Sequence, residues 1–280
     1  MLSNTFIHIP GIGYKHEKDI WKKGFLSWDD VLKNNRKDLP DVHQFKKYVK
    51  DSDTSLKKGN PYFFCDLLPK QEIWRVFRDF RKRTAFFDIE TTGLSAQYNE
   101  ITTIVLYDGD GIKCYVNGQN LKDFKKDIQE YDVIVTYNGK CFDAPFVQQF
   151  FNMTLDHVHI DLMYVLRDLG YKGGLKGCEK QLGIGRDELD GVDGYFAVLL
   201  WQDYINNRNK KALDTLLAYN IQDVVNLERL MITSYNMKVK YTPFYKDLCI
   251  PPPEQPDLPY ESDPDTINRI KRRYSHHYGE

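Results

Sequence analysis

Residues 84–93 read TAFFDIETTG, a run of aromatic and branched residues typical of a buried strand that ends at Gly93. Because side chains alternate along a strand, Asp88 and Glu90 point to the same face. Two carboxylates on one buried face repel each other and lose hydration, and a bound cation offsets both costs. The alternative, two exposed acids on an edge strand, conflicts with the apolar flanks. The stretch therefore predicts a cation site on a central strand.

A third acidic residue follows another strand-like run at residues 132–137. The dipeptide Asn138-Gly139 favours a turn after that run. Asp143 then stands at the start of a predicted helix, with Pro145 in its first turn. Taken alone, Asp143 is better explained as a helix cap than as a metal ligand. Open α/β sheets build their sites where strands end, however, and the two roles are compatible.

Tyr219 and Asp223 lie one helical turn apart in residues 210–231, whose apolar spacing predicts a helix. Residues four apart share a helix face, and here that face is the apolar one. A carboxylate buried on that face needs a partner. For this helix alone, two explanations are equally good. Tyr219 and Asp223 form a functional pair, or Asp223 is a structural residue hydrogen-bonded to a neighbour and Tyr219 is part of the core.

The three patterns occur along the chain in the order D-x-E, N-G-x-x-F-D and Y-x-x-x-D. This order resembles the tyrosine branch of the DEDD exonuclease superfamily, whose members have the ribonuclease H-like fold. Four further segments resemble the ribonuclease H-like domain of the bacterial and archaeal YprB family: IDL at 160–162, KGGLK at 172–176, LGI at 182–184 and DGY at 193–195. The similarity covers roughly residues 84–232.

The resemblance implies two-metal hydrolysis of phosphodiesters, with Asp88 bridging both ions. Glu90 and Asp223 would complete the site of the ion that activates water, Asp143 would serve the second ion, and Tyr219 would orient the water. Carboxylate oxygens are hard donors, which suits Mg²⁺ or Mn²⁺. The implied product is a nucleoside 5′-monophosphate released from a 3′ end. Three more residues of these motifs are expected to contact nucleic acid: Thr91, Asn138 and Lys176.

The 280 residues carry a formal net charge of −1, but the charges are unevenly distributed. Residues 1–83 hold 18 basic against 11 acidic residues, a net of +7, and the remainder has a net of −8. This basic N-terminal part is suited to phosphate contacts. A solvated helix face is the alternative for its densest run, which consists of Arg75, Arg78, Arg81, Lys82 and Arg83.

Residues 6–13, FIHIPGIG, precede a polar helix predicted at 14–23, and Ser27 with Asp30 suits the cap of a second helix. This arrangement resembles a helix-hairpin-helix element, in which a turn such as that of Gly11 and Gly13 lets the backbone approach a phosphate. The alternative is a small helical packing or protein-binding module.

The five cysteines are scattered without a C-x-x-C pair, which argues against a disulfide scaffold. Zinc is also unexpected, although histidines occur in pairs at 157 and 159 and at 276 and 277. The sequence has neither a P-loop nor a G-x-S-x-G motif. No apolar run approaches a membrane span and no signal peptide is evident, so we expect a soluble cytoplasmic enzyme.

The predicted fold class is α/β, a ribonuclease H-like mixed sheet flanked by helices. Strands are predicted at 84–90, 101–107, 112–116 and 132–137, and helices at 121–130, 143–151, 175–182 and 210–231. Residues 51–55 and 57–61 are predicted loops. A short basic helix is predicted at 265–274, and a solvated tail explains it better than packing on the domain or contact with nucleic acid does. Four regions follow: a helical, helix-hairpin-helix-like module (1–60), a basic connector (61–83), the exonuclease domain (84–240), and a Pro-rich extended segment with a basic tail (241–280).

The sequence thus favours a metal-dependent 3′→5′ exonuclease that acts on nucleic acid, with DNA preferred to RNA. Two alternatives stay open: a nucleic-acid-binding adaptor with little or no activity, and a structure-selective endonuclease that uses the same metals. The complete set of acidic residues favours an enzyme, because a pure binder has no need of clustered acids that repel phosphates.

Overall fold

The computed structural model of the chain describes residues 1–33, 44–185 and 192–274. Within them, five strands form one mixed sheet: β1 (Thr84–Thr91), β2 (Ile101–Tyr107), β3 (Ile112–Val116), β4 (Val133–Thr136) and β5 (Val158–Asp161). The strand order is β3-β2-β1-β4-β5, with antiparallel pairs on one side of β1 and parallel pairs on the other. β1 is therefore the central strand, and the predicted mixed sheet is confirmed.

Helices surround this sheet and also precede and follow it along the chain. They are α1 (Tyr14–Lys22), α2 (Trp28–Lys33), α3 (Phe45–Lys57), α4 (Tyr62–Leu67), α5 (Phe77–Phe80), α6 (Phe124–Asp127), α7 (Asp143–Phe151), α8 (Leu162–Asp168), α9 (Gly174–Leu182), α10 (Gly194–Asn207), α11 (Lys210–Val239), α12 (Tyr245–Leu248) and α13 (Pro264–Arg273). Short 3₁₀ turns occur at Leu2–Asn4, Lys70–Val76, Arg81–Arg83, Leu121–Asp123 and Ile128–Glu130. Among the described residues, no helix is long and apolar enough to cross a membrane.

The two faces of the sheet pack against different helices. Phe86 belongs to a buried cluster with α11, whereas Phe87 belongs to a second cluster with α6 and α7. Because alternate residues of a strand share a face, Asp88 and Glu90 lie on the same side as Phe86, which is the side covered by α11. Helix α11, which carries the predicted site residue Tyr219, therefore lies over β1, which carries Asp88 and Glu90.

The N-terminal residues pack into the same core as the sheet. Phe6 and Trp28 share a buried cluster with Phe86 of β1. Arg75 is also buried, and its guanidinium bonds both to Glu17 of α1, at 2.8 and 2.9 Å, and to Glu72, at 2.6 Å. The buried core thus includes residues on both sides of positions 60 and 83. The domain boundaries predicted at these two positions stay predictions.

Three expectations about the flanking regions need correction. Residues 51–55 are not a loop, because they lie within α3, whose Val49 and Ser52 are buried. Residues 264–273 form the amphipathic helix α13, and its buried Ile267 and Ile270 show that it is packed rather than a solvated tail. The Pro-rich segment is also interrupted by the single turn of α12. The histidines at 276 and 277 lie outside the described residues.

The sheet domain contains more structure than the sequence patterns predicted. β5, α8 and α10 were not predicted, and the helix predicted at 210–231 continues to Val239. The helix predicted at 121–130 is one α-helical turn between two 3₁₀ turns. Of the helix-hairpin-helix element that the sequence resembles, the structure contains the turn at Gly11 and Gly13 and the two helices after it, α1 and α2. Only the three-residue 3₁₀ turn Leu2–Asn4 precedes Gly11 among the described elements.

Candidate metal centre

Three of the predicted carboxylates converge on the α11 face of the sheet. One carboxylate oxygen from each of Asp88, Glu90 and Asp223 lies within 4.8 Å of the other two. Glu90 and Asp223 are only 8% and 5% exposed, so their mutual repulsion is poorly screened by water. Three hard oxygen donors in this arrangement fit a divalent cation such as Mg²⁺ or Mn²⁺, which would remove that repulsion.

Asp143 lies beside this group and is not part of it. The side chain is 3% exposed at the first residue of α7, and Oδ1 accepts the backbone N–H of Ile89 at 3.2 Å. Since Ile89 separates Asp88 from Glu90, this bond ties the start of α7 to the acidic part of β1. Burial raises the pKa of Asp143 to about 7, although the N–H of Ile89 favours its charged form.

The turn that leads to Asp143 is held by Asp161, at the end of β5. The Asp161 carboxylate accepts backbone N–H groups from Asn138 at 2.8 Å, from Lys140 at 3.1 Å and from Met163 at 3.0 Å. Asn138 adopts a left-handed conformation with φ 61°. At the next position a Cβ atom would lie 2.2 Å from Oγ1 of Thr136, so the turn requires Gly139.

Tyr219 precedes Asp223 by one turn of α11 and is buried in a cluster with α10. The Nζ of Lys176 lies 4.8 Å from the centroid of the Tyr219 ring, and the same ammonium donates to the carbonyl of Val192. Lys176, which the motif comparison suggested as a nucleic-acid contact, thus borders Tyr219. Its predicted contact with substrate stays a prediction.

Asn220 contributes to the site although the sequence patterns did not predict it. Its Nδ2 donates to Oδ2 of Asp88 at 2.8 Å, and its Oδ1 accepts from Oγ1 of Thr103 at 3.1 Å. Asn220 is fully buried, next to Tyr219 on a helix whose other buried residues are mostly apolar. A buried side-chain amide needs hydrogen-bond partners. An Asn among the apolar residues of a predicted helix could therefore have indicated a polar contact at this position.

The loop after β1 places two large apolar side chains in solvent. Leu94 is 88% exposed and Tyr98 is 80% exposed. Thr91, predicted as a substrate contact, donates its hydroxyl to the carbonyl of Gly93 at 2.7 Å and so helps to form this loop. Period-two alternation identifies the strand but gives no information on the loop beyond it, so these two side chains were not predicted.

Most of the basic run before β1 forms ion pairs within the protein. Arg81 lies 2.5 Å from the buried Glu228, and Arg83 lies 2.5 Å from Asp132. Arg75 belongs to the buried ion pairs described above, so three of the five basic residues of the run pair with acids of the protein. The two others, Arg78 and Lys82, line a cavity of about 470 Å³ together with Arg81 and Arg83.

The predicted phosphate-binding turn is exposed at its glycines. Gly11 has φ 87° and is accessible to solvent, and Gly13 immediately precedes α1. A Cβ atom added at Gly13 would meet no other atom within 4 Å, so no close packing within the protein explains that glycine. The contact of this turn with a phosphate stays a prediction.

The chain is similar to YprB of Bacillus subtilis (strain 168), a protein described as uncharacterized, with 30% identity over 169 residues. The match covers 52% of this chain and 40% of YprB, so the chain spans less than half of that relative. Among solved structures, it is similar to the family B DNA polymerase of the hyperthermophilic archaeon Pyrobaculum calidifontis. The TM-score is 0.43 and the identity 15%, over 58% of this chain and 26% of the polymerase.

A family model described as the RNase H superfamily matches residues 85–235. This span is more than half of the chain, and it contains the three clustered carboxylates together with Asp143 and Tyr219. It also contains almost the whole of the five-stranded sheet. The chain therefore belongs to the RNase H superfamily.

Proposed function

We propose that this chain is a metal-dependent 3′→5′ exonuclease that acts on single-stranded nucleic acid, with DNA as the preferred substrate. The observation that supports this proposal most directly is the group formed by Asp88, Glu90 and Asp223, at the centre of an RNase H-like sheet. Clustered acids repel the phosphates of a nucleic acid unless cations lie between them. A divalent-metal nuclease explains both their proximity and their burial.

The reaction is the hydrolysis of the last phosphodiester of a strand. A water oxygen forms a bond to phosphorus, and the bond to the 3′ oxygen of the preceding nucleotide breaks. One proton of the water passes to that leaving oxygen, and a nucleoside 5′-monophosphate is released. When bound, the divalent ions neutralise phosphate charge and acidify the attacking water.

The side chains of the site divide this work among them. Asp88, Glu90 and Asp223 would hold the cations, and Asp143, beside them, would contribute to the second cation site. Asn220 fixes the orientation of the Asp88 carboxylate through its 2.8 Å hydrogen bond. The hydroxyl of Tyr219 would orient the attacking water. The Tyr219 ring is held by burial and by the Lys176 ammonium.

Action at a strand end is supported by the loop that follows β1. This loop directly follows the strand that carries Asp88 and Glu90, and its exposed Leu94 and Tyr98 offer apolar and aromatic surface. Unpaired bases at the end of a strand can stack on such a surface, whereas bases inside a duplex are already stacked. The loop therefore favours a frayed or single-stranded terminus as the substrate.

A time course on matched 5′-labelled single-stranded DNA and RNA, with Mn²⁺, tests this function. A ladder of fragments that shortens from the 3′ end is expected, together with nucleoside 5′-monophosphates. A circular single-stranded DNA should stay intact under the same conditions. Cleavage of the circle would instead support an endonuclease, and binding of all substrates without any cleavage would support an adaptor. The Asp88→Asn variant is the matched control for contaminating nucleases.

A further inference from the structure

A cavity of about 790 Å³ lies along β5, which is the edge strand of the sheet on the side of the parallel strands. Its walls come from β5 and α8 and from the segment that contains α4 and the following 3₁₀ turn. The side chains that give the cavity its chemical character are Lys70, Lys140, His159, Tyr164 and Arg167. The volume is within the range of about 300–1,000 Å³ that is typical of ligand sites.

The lining of this cavity is cationic. Lys70, Lys140 and Arg167 are exposed, and each contributes a positive charge. The two acids of the lining are already engaged. Asp161 accepts three backbone N–H groups, and Asp168 pairs with Lys238, which does not line the cavity. Backbone N–H groups leave the charge of Asp161 in place, so with Asp168 offset by Lys238 the three cations give the lining a net charge of 3 − 1 = +2, which attracts anions.

The two imidazoles in the wall, His157 and His159, do not add to this charge at neutral pH, and burial lowers the pKa of His157. Burial, assisted by the charge of Lys140, lowers the pKa of His159 to about 3. Its Nε2 lies 2.8 Å from Oγ1 of Thr136, which holds the ring against the end of β4. His159 is thus a neutral, fixed part of the wall, and the positive charge comes from the lysines and the arginine.

An exposed aromatic ring lies among these cations. Tyr164 is accessible to solvent, and the guanidinium of Arg167 lies 5.0 Å from the centroid of its ring. Single-stranded nucleic acids are bound by grooves of this kind, in which cations follow the phosphates while aromatic and guanidinium planes stack on the bases. Stacking depends little on sequence, so such a groove accepts many base sequences.

A single turn connects the cavity to the candidate metal centre. Lys140 belongs to the turn between β4 and α7, and α7 begins with Asp143. Asp161, in the cavity wall, holds this same turn through the backbone N–H groups of Asn138 and Lys140. The cavity and the residue that begins α7 therefore border the same turn.

We propose that this cavity binds the single-stranded stretch that lies 5′ of the nucleotide being removed, with Lys70, Lys140 and Arg167 at its phosphates and a base on Tyr164. The proposal rests on the proposed nuclease function and specifies the path of its substrate. The competing occupant is a peptide strand that pairs with the open edge of β5. The backbone N–H of Val158 donates to the carbonyl of Asp132, on the side of β4. The backbone N–H and C=O groups of the next residue, His159, therefore face away from β4, toward that open edge. The three cations favour a polyanion.

Binding to a labelled single-stranded 12-mer, followed by fluorescence anisotropy, tests this path in the full-length chain. Every protein carries Asp88→Asn, so that the oligonucleotide stays intact in Mg²⁺. The groove variant combines Lys70→Ala, Lys140→Ala and Arg167→Ala. A matched control removes the same charges from exposed positions outside the cavity: Lys122→Ala, Lys126→Ala and Arg272→Ala.

The groove variant should bind at least about tenfold more weakly than the control variant. Its slope of log affinity against log salt should be shallower by roughly 2, because each lost phosphate contact removes about 0.7 on single strands. Tyr164→Ala should also weaken binding about tenfold, and Tyr164→Phe should bind like the parent because it keeps the stacking surface. Equal affinities and salt slopes in the groove and control variants would overturn the proposal and leave the edge of β5 to a peptide strand.

Two separate assays distinguish failure of the proposed nuclease function from failure of the proposed substrate path through the cavity. Cleavage is measured with Asp88 intact, and binding is measured with Asp88→Asn. Loss of binding in the groove variant without cleavage by the parent chain would overturn the nuclease and support the binding site. Cleavage by the parent chain with unaltered binding by the groove variant would overturn the path alone.

Discussion

The side-chain amide of Asn220 donates to Oδ2 of Asp88 at 2.8 Å and accepts from Oγ1 of Thr103 at 3.1 Å. These two bonds connect α11, β1 and β2 through one buried residue. Asp88 therefore has a partner on the helix that also carries Asp223, and its carboxylate is oriented before any cation binds. Hydrogen bonds of this kind to metal-binding carboxylates affect both the affinity for the metal and the rate.

Asn220→Ala should lower metal affinity and the rate of cleavage by about 10- to 100-fold, because the Asp88 carboxylate loses its orienting donor. It should also cost roughly 1–3 kcal/mol of stability, because the buried Thr103 hydroxyl loses its partner. Thr103→Val is the matched control, since it removes the second bond and keeps the first. A metal titration of the variant that superimposes on that of the wild type would show that Asn220 has only a structural role.

Asp88→Asn should abolish cleavage while the fold stays intact. The substitution removes one negative charge from three crowded carboxylates, so the melting temperature of the metal-free protein should stay equal or rise. Activity assays and thermal melts of the same sample check both parts. Asp257→Asn, at an exposed position of the Pro-rich segment, controls for the loss of one acid. Normal cleavage by Asp88→Asn would end the proposal of a metal centre here.

Mg²⁺ or Mn²⁺ should raise the melting temperature of the wild type in a concentration-dependent way. A ligand that binds only the folded state stabilises it by about 2.7 kcal/mol at 100 times its Kd. The Asp223→Asn variant should lose most of this stabilisation, because it removes one of the three converging ligands. Thermal melts across a metal titration measure the difference. Equal stabilisation of both proteins would place the bound metal elsewhere.

The sequence predicted those parts of the protein whose local pattern determines their position. Alternation along β1 placed Asp88 and Glu90 on one face, and the four-residue spacing placed Tyr219 and Asp223 on one turn of α11. The contacts of Asn220 and Asp161 depend on partners far along the chain, so local periodicity could not predict them. The basic run before β1 shows the same limit. Its composition indicated phosphate contacts, whereas Arg81 and Arg83 pair with acids of the sheet domain.

Gly139→Ala should destabilise the turn that precedes Asp143. The new methyl group would lie 2.2 Å from Oγ1 of Thr136, and relief of such overpacking typically costs about 1–3 kcal/mol. The rate should fall roughly 100-fold if the start of α7 shifts by about 1 Å. Denaturant unfolding and initial rates measure these two effects. Gly111→Ala is the matched control, because nothing lies within 4 Å of its added methyl group and the residue belongs neither to the metal centre nor to the predicted phosphate-binding turn. Equal stability of the two variants would contradict the packing argument.

Arg269→Ala should weaken the attachment of α13 to the domain and so lower the free energy of unfolding in a pH-dependent way. The Arg269 guanidinium bonds to both carboxylate oxygens of Asp203, at 3.0 and 2.6 Å, and these bonds, with others from Asn207 and Asn209, lower the pKa of Asp203 to about 2. A depressed folded-state pKa stabilises the protein above the unfolded value of about 3.9, and that contribution disappears as the pH falls toward 2.

The wild type should therefore exceed Arg269→Ala in stability at pH 7 by up to about 2 kcal/mol, a value reduced by the partial exposure of the arginine. The difference between the two proteins should shrink steadily between about pH 4 and pH 2 as Asp203 becomes protonated. Denaturant unfolding at a series of pH values measures it, with the exposed Arg272→Ala as the matched control on the same helix. A difference that is equally large at pH 2.5 and pH 7 would mean that Arg269 stabilises α13 through packing of its aliphatic chain and not through the charge of Asp203.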